Sequence, residues 1–176
     1  MTGSQEISRP KWHQSMYDQL HQLAGRELKK EAPGHSLQPT VLVNDAFMKL
    51  LEQRNVDLND RTHAMAVGAN ILRRLLVDHA RKRKTLKRGG QQGRGQALFP
   101  SITTGTSRVD VVELHDALEV MEESHSRPAK IVELKFFGGL TGEEISSELN
   151  VSRSTVQAEL GFAKAWLKKE LSEEIE

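Results

Sequence analysis

The chain of 176 residues contains no cysteine. That excludes a disulfide framework and any thiolate metal site, and it suits a reducing compartment. Long apolar runs are missing as well: no stretch approaches the roughly 18 residues that a membrane span requires. The opening residues, MTGSQEISRPKWHQ, lack the apolar core of a signal peptide, so a soluble cytoplasmic chain with no membrane partner is expected. Aromatic residues are scarce, and none occurs between Phe47 and Phe99. Net charge is almost absent too, at +1. That near-balance conceals segregation, with a strongly positive run from Arg73 to Arg94 and acidic runs from Asp110 to Glu123 and Glu170 to Glu176. Charge sorted in this way argues for a charged partner at one place and a different surface elsewhere.

What the chain does hold is a long periodic segment, Arg61 to Arg88. Ala64, Gly68, Ile71, Leu72, Leu75, Leu76 and His79 recur at steps of three and four, which predicts a packed helical face. Asn70, Arg73, Arg74, Val77, Arg81, Lys84 and Arg88 recur at the same steps and predict a second, mostly basic and solvent-facing side. Such a helix would be about 40 Å long, enough to track over a turn of duplex nucleic acid. Its only acid after Arg73 is Asp78, four residues from both Arg74 and Lys82 and so absorbed by helix pairs. The bland alternative is a solvated helix face. One-sided charge that continues into a Gly- and Gln-rich tail favours nucleic acid, through Arg73, Arg74, Arg81, Lys82, Lys84, Lys87 and Arg88.

Taken in order, residues 1–10 show no periodicity, and residues 11–90 make a first helical domain. Trp12, Met16, Leu20, Leu23 and Glu27 trace one helix, ended by Ala32-Pro33-Gly34. Val43, Phe47, Leu50 and Leu51 trace a second, and Asn59-Asp60 caps the long third. Residues 91–110 have linker chemistry, too poor in apolar residues to hold a core. Residues 111–176 return to helix: Val112, Leu114, Ala117, Leu118 and Met121 form one stripe, and Pro128 opens a helix that Gly138-Gly139 stops. The fold class expected is all-α, two small helical domains joined by a flexible linker.

The second domain carries a tighter signature. Thr141 and Glu144 form a capping box opening a helix to Leu149; Asn150 suits a left-handed turn, and Ser152 caps a further helix burying Val156, Leu160, Ala163 and Leu167. Two helices joined by so short a turn match a helix-turn-helix, whose second helix can enter the major groove. A plain helical hairpin is the alternative. Groove contact falls on Arg153, Ser154, Thr155, Gln157 and Ala158, with Lys164 nearer the phosphates. Arg pairs bidentately with guanine and Gln with adenine, whereas Glu159 is awkward there.

The segments GHSLQPTVLVNDAFMKLL, ILRRLLVDHARKRKTLKRGG and VELKFFGGLTGEEISSELNVSRSTV, in this order, resemble a bacterial extracytoplasmic-function (ECF) sigma factor of the minimal two-domain type, over about residues 12 to 171. The resemblance implies a dissociable subunit of core RNA polymerase that directs promoter DNA recognition, with no catalytic residue, metal or cofactor of its own. It implies that residues 11–90 bind the polymerase clamp, through Asp45, Met48, Lys49 and Glu52, and help open the -10 element. Residues 111–176 would read the -35 element. Two features depart from the pattern. Thr40 to Asn44 holds no acidic cluster, and Ala64 and Met65 stand where similar sequences carry aromatics, so weak core binding and weak strand melting are expected of the unmodified chain. The resemblance also allows control by a Ser/Thr protein kinase acting at Thr62, where a phosphate would restore negative charge at a helix N-terminus, or by an anti-sigma factor.

Three rival readings remain. A stand-alone helix-turn-helix regulator would share the second domain but not need the basic helix. A degenerate factor would hold a partner without initiating transcription. A His-Asp metal hydrolase is suggested by Asp78-His79 and His115-Asp116, but such a centre needs further His and Asp ligands at converging positions and His79 falls on the packed helical face.

Overall fold

The computed structural model describes residues 14, 17–18, 20–22, 24–25, 39–86 and 111–173, with side chains described through residue 82 in the first long stretch and residue 172 in the second. Every regular element among them is an α-helix. The described helical residues between 14 and 25 form α1. They are followed by α2 (Pro39–Leu51), α3 (Arg61–Leu86), α4 (Val111–Ser124), α5 (Ser126–Phe136), α6 (Gly142–Leu149) and α7 (Arg153–Glu173). Trp12, Met16, Leu23, Glu27, the linker at 91–110 and the side chains of Lys84, Lys87 and Arg88 lie outside the described residues.

Local chemistry sets the helix ends. Pro39 is the first residue of α2, where its fixed φ suits the helix and its missing N–H costs nothing. At the start of α3, the Asp60 carboxylate accepts from the His63 N–H at 3.1 Å, the N-cap arrangement. α5 begins at Ser126, two residues before the expected start, so Pro128 occupies its first turn, where N–H groups have no helical partner. The same helix ends where Gly139 turns to φ 65° and the Leu140 N–H reaches back to the Leu134 carbonyl at 3.1 Å. Gly138 is needed there for space: a Cβ would sit 2.7 Å from the Leu134 carbonyl and 3.2 Å from Ala69 Cβ on α3.

One hydrophobic cluster runs through both halves of the chain, from Leu20 and Leu42 through Leu72 and Leu76 to Leu118, Ile131, Val156 and Leu167. α3 is its axis, packed on α2 on one side and on α4, α5 and α6 on the other. This double packing corrects two expectations. Arg73 and Val77, assigned to a solvent-facing side, are 5% and 1% exposed. Of the described residues of α3 with side chains, only Arg74, Asp78, Arg81 and Lys82 are exposed. In α2 the buried stripe is Leu42, Val43, Ala46 and Leu50, with Phe47 packed against it; Leu51, expected inside, is exposed.

Candidate nucleic-acid interface

The turn between α6 and α7 is built as its residue types dictate. Thr141 and Glu144 form a reciprocal capping box, the Glu144 N–H donating to Thr141 Oγ1 at 3.2 Å and the Thr141 N–H to Glu144 Oε2 at 2.8 Å. Asn150 takes the left-handed conformation at φ 51°, ψ 47°, which its short polar side chain tolerates. Ser146 Oγ donates to the Val151 carbonyl at 2.6 Å and the Val151 N–H to the Ser146 carbonyl at 3.1 Å, tying the turn back onto α6. Ser152 Oγ then accepts from the Thr155 N–H at 3.0 Å and caps α7.

α7 is anchored through Val156, Ala163 and Leu167, all 3% exposed or less. The opposite side of its first turns is open to solvent: Arg153, Ser154, Gln157 and Ala158 are exposed and Thr155 half-buried. Ser154 and Thr155 turn their hydroxyls toward Ser152, at 2.8 and 2.7 Å. Lys164 is half-buried, its Nζ 5.7 Å from the centre of the Phe136 ring. Glu159 is neither a free acceptor nor a bare charge. Arg127 of α5 forks onto its carboxylate, Nε donating to both oxygens at 3.0 and 2.9 Å. That contact holds the Glu159 carboxyl below the usual carboxylate range, against the opposing push of partial burial. Sequence reasoning missed Arg127; the one available signal was an acid on an otherwise anion-seeking face, which needs a cation nearby.

The cations of α3 are divided. Arg74, Arg81 and Lys82 are exposed. Arg73 is buried, its Nε 3.0 Å from Glu133 Oε2 of α5 and its Nη1 3.1 Å from His115 Nδ1 of α4. Since a guanidinium can only donate, His115 Nδ1 must accept, which places the ring in its neutral form with the Nε2 proton 3.3 Å from Glu119. Burial, with the Arg73 charge adding to it, pushes the His115 pKa below its ordinary 6.5, in agreement. Glu133, 4% exposed, also accepts from Asn70 Nδ2 at 3.0 Å and from Lys130. A polar cavity of about 30 Å³ between Asn70, Arg73, Glu122 and Glu133 has room for a water beside Arg73 Nε, a buried nitrogen without a well-angled hydrogen bond. Arg81 pairs with Asp116 at 2.8 Å in a half-open setting. The His115-Asp116 dipeptide is thus divided between two arginines of α3, and no three His, Asp or Glu residues converge among those described.

On α2 the side turned from the core carries Asn44, Asp45, Met48 and Lys49, with Glu52 just past its end, all exposed, and Val41 and Leu51 beside them at 45% and 52% exposure. Thr62 lies half-buried in the first turn of α3 between two paired neighbours, Arg61 with Glu144 and His63 with Glu148. The capping duty at this helix end belongs to Asp60.

In this all-helical protein a capped helical pair with an open second helix stands beside a long helix bearing an exposed cationic strip. The model of the ECF sigma factor family matches residues 3–173, and the chain belongs to that family. No curated protein and no solved structure matches it. As an ECF sigma factor it serves transcription initiation with core RNA polymerase and promoter DNA. No described helix is long and apolar enough to cross a membrane.

Proposed function

We propose that the two halves divide promoter recognition. Residues 111–176 read the -35 element through the open start of α7, and residues 11–90 bind the core clamp and engage the -10 element. The observation that carries this reading is the solvent-facing set Arg153, Ser154, Gln157 and Ala158, held out by a turn that Ser146 and Ser152 tie down. Arg153 and Gln157 supply the two bidentate base contacts, and Lys164 lies further along toward the backbone. Arg74, Arg81 and Lys82, with Lys84, Lys87 and Arg88 beyond, supply phosphate contact, and Arg73 joins them only if it leaves Glu133. Asp45, Met48 and Lys49 of α2, with Glu52 just past its end, face the polymerase, and the exposed Val41 and Leu51 of α2 add apolar area to that contact.

In the same reading Thr62 is a regulatory phosphorylation site for a Ser/Thr protein kinase. The first turns of α2 and α3 hold no acidic residue. A phosphate at Thr62 would add about -1.5 to -2 charges where the α3 dipole favours an anion, and would compete with Glu144 for Arg61. An anti-sigma factor is the other form of control compatible with the exposed α2 surface.

The test is gel filtration of the full chain with bacterial core polymerase, as wild type and as Thr62→Glu. Co-elution of the variant alone supports the phosphorylation switch, and co-elution of both indicates constitutive competence. If neither binds while the chain alone holds duplex promoter DNA, it acts as a free regulator and the proposal fails. On promoter DNA with polymerase, Arg153→Ala or Gln157→Ala should cost about 1–3 kcal/mol of discrimination at one base pair.

A further inference from the structure

We infer that Phe136 of α5 is a positioning residue that presents Lys164 of α7 to a phosphate of the promoter backbone, and that Gly161 leaves the clearance by which that backbone reaches it. The inference rests on the promoter reading of α7 proposed above and adds to it a built phosphate contact beyond the base-reading start. Arg153, Gln157, Gly161, Lys164 and Lys168 follow one another at steps of three and four, so they share one face of the helix. Lys164 is half-buried and the others are exposed. At helical rise Lys164 stands about 17 Å from Arg153, and the major groove is only about 12 Å wide. A helix that enters the groove by its start therefore carries Lys164 to the rim, where the phosphates stand.

Lys164 is anchored differently from the cations paired elsewhere in the fold. Arg61, Arg73, Arg81, Arg127 and Lys130 each meet a carboxylate. Such a partner offsets the charge and occupies donors that a phosphate needs. Lys164 meets the Phe136 ring instead, its Nζ 5.7 Å from the ring centre. An aromatic face attracts the ammonium through its quadrupole and leaves the charge whole. Holding the side chain before DNA arrives also lowers the entropy lost when a flexible lysine is fixed on a phosphate. Phe136 is itself held, half-buried and packed against the core. Gly161 is the second observation. It stands near the middle of α7, where glycine is disfavoured against every residue but proline. A Cβ there would meet nothing within 4 Å beyond its own stretch of helix, unlike one at Gly138, so the fold does not call for glycine. The close approach it permits is by a body outside the chain, on the same face and one turn before Lys164.

The test begins without DNA. In the nuclear magnetic resonance spectrum of the full chain, the ring current of Phe136 should shift the Lys164 Cε protons upfield of those of the exposed Lys168, and Phe136→Leu should abolish the difference. This reading uses neither promoter nor polymerase, so it separates failure of the contact from failure of the promoter reading, which Arg153→Ala tests on matched and mismatched promoters. With core polymerase on promoter DNA, Lys164→Met should weaken binding and lower the slope of log affinity against log salt by about 1, with base preference unchanged. Phe136→Leu, which keeps apolar packing, should weaken binding about two- to fivefold with helical content retained, and Phe136→Tyr, which keeps the ring, should not. In the Lys164→Met background Phe136→Leu should cost nothing more. An equal loss in both backgrounds would make Phe136 a packing residue only and overturn the inference. Gly161→Ala should raise the midpoint of thermal unfolding and yet weaken promoter binding severalfold, opposite signs that a folding defect does not produce. Unshifted Lys164 protons, an unaltered salt slope in Lys164→Met, or wild-type promoter binding by Gly161→Ala would each overturn it as well.

Discussion

Arg73 and Glu133 form an ion pair almost wholly removed from water. Such pairs contribute little net stability when formed, because desolvation offsets attraction, but leaving one partner alone is costly. Arg73→Ala should therefore lower the unfolding free energy by about 3–5 kcal/mol, while Arg73→Met with Glu133→Leu should recover most of that loss. Urea unfolding of the two variants checks this; equal losses in both would show that packing, not stranded charge, sets the cost. A second pair belongs at the same scale. Arg127 neutralises Glu159 on the outer part of α7, so Arg127→Ala should weaken promoter binding by releasing an anion toward the phosphates. Glu159→Gln in that background should restore binding, and a double-mutant cycle on promoter affinity measures the coupling. What was legible at this scale was local. Asp60, Thr141 with Glu144, Asn150 and Ser152 all act over two to four residues, and all take their expected parts. Glu133 was not legible, because its partner Asn70 lies 63 positions away and no periodicity reports a contact between helices of opposite halves.

Among the elements, α6 shows how a cap couples to pH. Partial burial alone would raise the Glu144 pKa, but the hydrogen bonds from the Thr141 N–H, Arg61 and the Thr141 hydroxyl outweigh it and hold the carboxyl below its ordinary 4.5. A carboxylate depressed in the folded state contributes stability that is complete above 4.5 and lost as pH falls through the lower folded value. Glu144→Gln, which removes the titrating group, should lower stability near neutral pH and flatten the acid limb of the stability curve below 4.5, read by thermal unfolding against pH. An acid limb of unchanged steepness would place the linkage elsewhere. His115 contributes in the same direction but higher up: its folded pKa lies below 6.5, so the stability of its neutral form is present above 6.5 and fades on acidification. α3 marks the limit of reading elements from sequence. Its helix was legible from steps of three and four, but its exposed side was not, because charge was taken as a sign of solvent. A helix packed on both sides buries a wide arc, and Arg73 and Val77 fall inside it. In α2, Leu51 strays the other way, since the helix turns its Ala46 and Leu42 to the core and leaves the last Leu outside.

For the whole molecule, the near-zero net charge at +1 says little, and the arrangement of charge says more. The all-helical class followed from periodicity in residues 11–90 and 111–176, and the two halves from the glycine-rich stretch between them. That one continuous core joins those halves around α3 could not be read, because hydrophobic stripes on α4 and α5 do not name their partner. The exposed strip of Arg74, Arg81 and Lys82, in which Arg81 pairs with Asp116, is the cationic surface of α3. Its contribution has a distinct signature. A phosphate contact releases counterions without reading bases, so Arg74→Gln or Lys82→Gln should each lower the slope of log affinity against log salt by about 1, between about 50 and 200 mM salt, with base preference unchanged. Arg153→Ala should do the reverse, relaxing preference at one base pair and leaving the slope nearly alone. Promoter binding by the polymerase complex across a salt series, on matched and singly mismatched fragments, measures both at once. The contrast depends on the two surfaces acting separately: a change in base preference from Lys82→Gln, or an unaltered slope in both glutamine variants, would mean that the strip on α3 is solvated and that the start of α7 carries DNA binding alone.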